Sequence, residues 1–370
     1  MAMTVRDIDR LVGSWAPKSL AWEKDNVGLQ CGDPGQQVRS ILVALDASEG
    51  IVAEAVRRSV DLVITHHPLL FRPPRSVDLE TAAGRILRAL LASRISLLSA
   101  HTNLDASPVG TNAALARALG LTGVSTLYQQ HAVARKIVTF VPRSHVEAVA
   151  EALAGVGAGT IGNYHRCSFR AEGTGTFFGD QDSHPRVGAR GTLESVSEVR
   201  LEMVVDEWNL GAAVSALRRA HPYEEPATDI YPLENKDARY GMGMIGDLRR
   251  ALTVPTFLGL VKRRLGVPHL RVSAFTRKSV KRIAVCGGAG AELLDEAIRQ
   301  GADLFVTADV RYHVFHEAAG RIVVVDAGHY ETENPVVAVL TSRLQKEFHL
   351  RRERIQVRSA TSPGNPVRYV

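Results

Sequence analysis

The chain has 370 residues, 45% of them hydrophobic, and a formal net charge of +6. At roughly 100 to 200 residues per domain, that length predicts two or three cores rather than one. No stretch approaches the roughly eighteen uncharged apolar residues of a membrane span, and residues 1–9 carry charges where a signal peptide is apolar. The scattered cysteines, Cys31, Cys167 and Cys286, support neither a disulfide framework nor a thiolate zinc site, so a cytoplasmic protein without a membrane partner is expected.

In chain order, the first informative segment is 39–67, RSILVALDASEGIVAEAVRRSVDLVITHH, which reads as strand, helix, strand and ends in His66 and His67 before Pro68. The apolar strand 95–98 leads to His101 and then to a loop carrying Asp105, with Thr111 as cap of the following helix. From 127 to 235 the grammar changes. KIVTFV (136–141) reads as a strand before a helix with Val146, Val149, Ala150 and Leu153 on one face. After a Gly-rich polar stretch at 173–191, expected to form hairpins and loops, VRLEMVV (199–205) and the helix 210–220 repeat that unit. Two such units predict an inserted ferredoxin-like α+β domain.

Beyond the insert, 281–309 (KRIAVCGGAGAELLDEAIRQGADLFVTAD) aligns without a gap to 39–67, setting Glu296 on Glu54, Asp303 on Asp61 and Thr307 on Thr65. A second match, after the strand 322–325, sets His329 on His101 and Glu333 on Asp105, and Asn334-Pro335 reads as a helix start. The fold class is therefore α/β: two related lobes, 1–126 and 236–370, with mostly parallel sheets, flanking the insert 127–235. The densest positive run, 346–354, lies on a predicted C-terminal helix as a solvated face. No nucleic-acid-binding motif accompanies it, and nucleic acid is not expected as a partner.

Ligands of open α/β sheets gather at the carboxyl ends of strands, where His66, His67, Asp105, His329 and Glu333 all fall. Adjacent strand residues point to opposite sides, so His66 and His67 fit two ions better than one. Imidazole and carboxylate without thiolate suit zinc, manganese, iron or nickel, and Glu333 is the candidate bridge between two divalent ions. His101, opposite His329 in the repeat, is the candidate catalytic residue, with ligation, orientation of Asp105 and proton transfer all open to it. The glycines of 286–290 follow a strand and could cradle a phosphate, but a tight strand-to-helix turn explains them equally well. Cys286 reads as a small buried residue, and His221, Glu224 and Glu225 as a loop closing the insert.

Five ordered strings, AWEKDNVGLQCG (21–32), THHPLLFRP (65–73), AHTNLD (100–105), HPYEEPATDIYPL (221–233) and DAGHYETE (326–333), resemble the Nif-three-like dinuclear-metal family, also called GTP cyclohydrolase I type 2 homologues. The resemblance spans nearly the whole chain. It implies metal ligands at His66, His67, Asp105, His329 and Glu333, one Nif-three-like domain built from the two lobes, a PII/CutA-like insert and a toroidal homohexamer. One departure is visible: the family's T-G-D is Thr307-Ala308-Asp309 here, which puts a glycine-dependent turn in question. Two functions follow. One is a metal-dependent hydrolase acting on a small nucleotide-like substrate. The other is a non-catalytic metal-binding assembly that stores metal or presents its insert to an unidentified protein partner.

Overall fold

The computed structural model describes residues 3–129, 133–184 and 188–368. The chain packs as two units, Met1–Gln130 with Ala238–Val370, and His131–Asp237. Among the described residues no helix is long and apolar enough to cross a membrane.

In the first unit, strands Leu62–Thr65 and Ser96–Ser99 are buried at every position, as expected where helices cover both faces of a parallel sheet. They are central in a five-stranded sheet ordered Gly28–Cys31, Ser96–Ser99, Leu62–Thr65, Ser40–Ala44, Gln356–Ser359, parallel except for the first strand. A six-stranded sheet runs Arg271–Val272, Val323–Asp326, Leu304–Ala308, Ser279–Ala289, Gly241–Thr253, Thr122–Gln129, with the middle three strands parallel to one another. Each sheet thus takes one strand from the other half of the sequence. The helix Pro335–Leu350 strengthens that exchange. Its Val336, Val337, Leu340, Leu344 and Phe348, at helical spacing, share a core with Ile41, Val43, Leu62 and Ile64 of the first sheet.

The sequence repeat is a structural one. Ile41 pairs with Leu62 where Ile283 pairs with Leu304, and the carboxylates of Asp61 and Asp303 each accept two backbone N–H groups at the start of the preceding strand. The Ala100 N–H donates to Thr65, and the Ala327 N–H to Thr307. That places one extra residue, Gly328 at φ +84°, between strand and histidine in the second copy. Gly328 lets His329 begin a helix in its own right.

The second unit runs strand Ala134–Pro142, helix Val146–Ala154, strands Phe169–Phe178 and Leu193–Asp206, helix Leu210–Ala220, strand Thr228–Pro232. Its antiparallel sheet is ordered Phe169–Phe178, Leu193–Asp206, Ala134–Pro142, Thr228–Pro232. Ile137, Val141, Leu201, Met203 and Val205 meet Val149, Leu153 and Leu217 of the helices in one core. Gly173 and Gly175 lie within a strand, and the polar run after Phe178 is the loop of that hairpin.

This unit leaves the first between paired neighbours, since Gln129 lies opposite Gly241 and Tyr128 opposite Met242 in antiparallel register. Replacing 131–237 by a short turn should therefore give a chain that folds and retains metal. Starting the deletion at 127 should instead destabilise by about 2–4 kcal/mol, because it removes the buried Leu127. Denaturant unfolding of the two deletions checks this, and equal midpoints would refute it.

Candidate metal centre

The strand Leu62–Thr65 ends because the next two N–H groups, of His66 and His67, both turn to the Leu45 carbonyl. This leaves both imidazoles at the strand's carboxyl end. His66 is completely buried, and its Nδ1 pairs with the Ala100 carbonyl at 2.9 Å, so Nδ1 carries the proton. His67 Nδ1 pairs with Asp46 at 2.8 Å, His101 Nδ1 with Asp25 at 3.0 Å and His329 Nδ1 with Asp309 at 2.6 Å. Every imidazole is thus held through one nitrogen, the arrangement by which a supporting shell orients metal-binding histidines.

The free nitrogens converge on carboxylates. His66 Nε2 lies 3.5 Å from Asp105 Oδ1 and 3.8 Å from Glu333 Oε1, while His67 and His329 Nε2 lie 3.0 and 3.2 Å from Glu333 Oε2. His329 and Glu333 share one face of the short helix His329–Glu333. Asp105, expected in a loop, instead ends the helical turn Thr102–Asp105. Asn103 causes this: its side chain accepts from the His101 N–H and donates to the Ala16 carbonyl, closing the turn. Thr111 is the first residue of its helix and Gly110 the cap. His66, His67 and His101 form one group of mutually close ligand atoms, and His67, His329 and Glu333 a second, each within 4.8 Å.

These residues fit a metal. His66 Nε2, Asp105 Oδ1 and Glu333 Oε2 are buried without a hydrogen bond of good geometry. Two donors on one tetrahedral ion at ordinary zinc bond lengths stand about 3.3 Å apart, within the spread seen here. Unsatisfied buried polar atoms are costly, and a cation among them removes that cost.

With protons as the only cations, the cluster titrates abnormally. Burial works against charge on His67, but the neighbouring carboxylates of Asp46 and Glu333 outweigh it and raise the imidazole to about 10. Glu333 raises His329 to about 9 despite burial. Burial pushes Glu333 up, yet His66, His329 and His67 hold it well below the ordinary carboxylate value. Burial raises Asp105. Because the two raised histidines start from 6.5 when unfolded, their stabilisation is complete below about pH 6.5 and is lost as pH climbs through 9 to 10. The chelated protein should accordingly show a falling melting midpoint over that window, and zinc affinity should rise across it as the competing protons leave. A flat midpoint from pH 6.5 to 10 would contradict the assignment.

A sequence profile of the Duf34/NIF3 (NGG1p interacting factor 3) family matches residues 3–365. The chain belongs to that family. It is 40% identical over 322 residues to a GTP cyclohydrolase 1 type 2 homolog of Halalkalibacterium halodurans, covering 86% of this chain and 87% of that one. It is 38% identical to the protein of that name from Bacillus subtilis, covering 88% of each. A Bacillus cereus protein related to NIF3, solved by crystallography, superposes over the whole of both chains with a TM-score of 0.87 at 37% identity.

The turn between Thr307 and Asp309 needs no glycine at position 308. Ala308 is fully buried at its strand end, and the positive φ, +52°, belongs to Asp309. Aspartate tolerates that conformation, and Asp309 uses it to reach His329. The glycine run does not cradle an anion, because the N–H groups of Gly287, Gly288 and Gly290 are taken by Asn112, Thr332 and Thr307. Cys286 is buried, and burial together with Asp105, Glu292 and Glu333 pushes its thiol far up, which removes it as a nucleophile. Sequence reading missed Asp25, Asp46 and Asp309 as partners of the histidines. A signal existed for two of them: Asp25 lies in the string 21–32, and Asp309 occupies the repeat position of His67.

Proposed function

We propose that this Duf34/NIF3 chain holds two divalent metal ions through His66, His67, Asp105, His329 and Glu333 and hydrolyses a small nucleotide-like substrate with them. The observation that carries the reading is the division of Glu333, whose Oε1 faces His66 and whose Oε2 faces His67 and His329. A carboxylate that offers one oxygen to each of two imidazole sets suits a bridge between ions roughly 3.5–4 Å apart. When bound, such ions lower the pKa of water and polarise a phosphoryl group or ring carbon of the substrate. Zinc, manganese, iron and nickel all suit the nitrogen and carboxylate donors.

The chain's own residues do the positioning. Asp46, Asp309 and the Ala100 carbonyl hold three imidazoles with Nε2 inward. His101 is the candidate catalytic residue: tethered by Asp25, it sits against His66 and His67 and can give or take a proton. The name of the relatives suggests GTP as one substrate to assay. Metal-reconstituted protein offered GTP, phosphoesters and small amides should turn over one class, and His66→Ala should abolish that turnover. Full metal loading without turnover of any class would overturn the hydrolase and leave the metal-storing assembly.

Two further points belong to this reading. The βαββαβ order of the second unit and its sheet order support a ferredoxin-like domain of the PII/CutA kind. A homohexamer follows from family resemblance, and sedimentation of the purified protein should give six chains; a monomer would refute it.

A further inference from the structure

Alternation along the sheet of the second unit sends Ile137, Val141, Val199 and Leu201 toward the helices and Phe140 and Glu198 to the opposite face. On that opposite face is a cavity of about 290 Å³, walled by Phe140, Phe177, Phe178 and Tyr223. Glu198, Glu224 and Glu225 line it, and among the described residues no lysine or arginine does. Glu198 is only 8% exposed, and among the described residues no ion pair reaches its carboxylate, against which the Tyr223 hydroxyl lies. Gly175 makes room for it, since a Cβ there would collide with the Glu198 carboxylate. The Tyr223 hydroxyl is itself buried, and burial together with the neighbouring Glu198 carboxylate raises its pKa.

Among the described residues no cation is paired with Glu198. The buried His221 accepts from the Tyr223 N–H at Nδ1, so its Nε2–H must be the donor to the Phe140 carbonyl. That is a neutral ring, and burial lowers its pKa further. Arg200 stacks on Phe140 at 5.6 Å but is committed to Glu202. Glu224 accepts from the His184 N–H and so shapes the rim.

A carboxylate buried without a counter-charge is stabilised when a cation joins it, and aromatic faces attract the same charge. We propose that this cavity binds a small organic cation, an ammonium group on a compact apolar body, with Glu198 as its counter-ion, the Tyr223 hydroxyl as an acceptor and the aromatic walls around the body. Its size suits a ligand at the small end of ordinary pockets. The site stands apart from the metal reading and does not depend on it, since none of the proposed metal ligands lies in this unit.

The test is calorimetric titration of the full-length protein with benzylamine, and with benzyl alcohol as its neutral counterpart. Saturable binding of benzylamine is expected, at least roughly tenfold tighter than the alcohol, with a loss of at least roughly tenfold in Glu198→Gln. Tyr223→Phe, which removes the acceptor but leaves the carboxylate, should weaken benzylamine by a smaller factor. Equal affinities for amine and alcohol would overturn the proposal. So would benzylamine binding untouched by a folded Glu198→Gln, absence of saturable binding, or zinc taking the site in the amine's place.

Discussion

Glu333→Ala should leave the folded protein unable to retain either metal ion, whereas His66→Ala should weaken one ion more than the other. Glu333 reaches all three of His66, His67 and His329, while His66 reaches only Asp105 and Glu333 among the carboxylates. The loss should exceed the roughly 10- to 100-fold that removing a supporting hydrogen bond costs a metal site. Even without metal the change is severe. Glu333 is 4% exposed, and deleting one member of a buried ionic group costs about 3–5 kcal/mol by leaving its partners unpaired. Metal stoichiometry of each folded variant and of the double mutant decides the matter. A double mutant no worse than Glu333→Ala is expected, and independent additive losses would mean two separate sites.

Gly288→Ala should disrupt the same centre without touching a ligand. Gly288 sits at φ +63°, where a side chain is strained, and a Cβ there would collide with Glu333 Oε1 and come within 3.2 Å of His329 Cε1. The backbone strain alone costs on the order of 1 kcal/mol. The larger effect is on geometry, because Glu333 must leave its place between the imidazoles. We expect at least roughly a tenfold loss of metal affinity in a chain that still folds. Gly320→Ala is the control, being a positive-φ glycine with open space where its Cβ would go. Equal effects of the two substitutions on metal affinity would show that strain, and not the approach of Glu333, is what matters. In the repeat, Gly288 occupies the position of Asp46, the residue that holds His67 in the first copy. One copy thus spends this position on supporting a histidine and the other on leaving room for a carboxylate.

The repeat, the apolar strands that carry it and the residue types gathered at their ends can all be read from the order of the residues. These are local facts: four-residue runs such as Leu62–Thr65 are buried throughout, and a histidine beside a strand's last residue has to emerge at its carboxyl end. The spacing of His329 and Glu333 is of the same kind, since a single helical turn suffices to align them. What depends on partners distant in sequence emerges once the chain is folded. The burial of Glu333 between imidazoles from both halves is such a fact, as is the choice of Asp25, Asp46 and Asp309 to fix the histidines. So is the exchange by which Gln356–Ser359 completes the first sheet and Thr122–Gln129 the second. Periodicity records which side of an element is apolar, but not which other element covers it. The glycine at 288 shows the limit most directly, because its reason is a carboxylate 45 residues further along the chain that only folding brings to within collision distance.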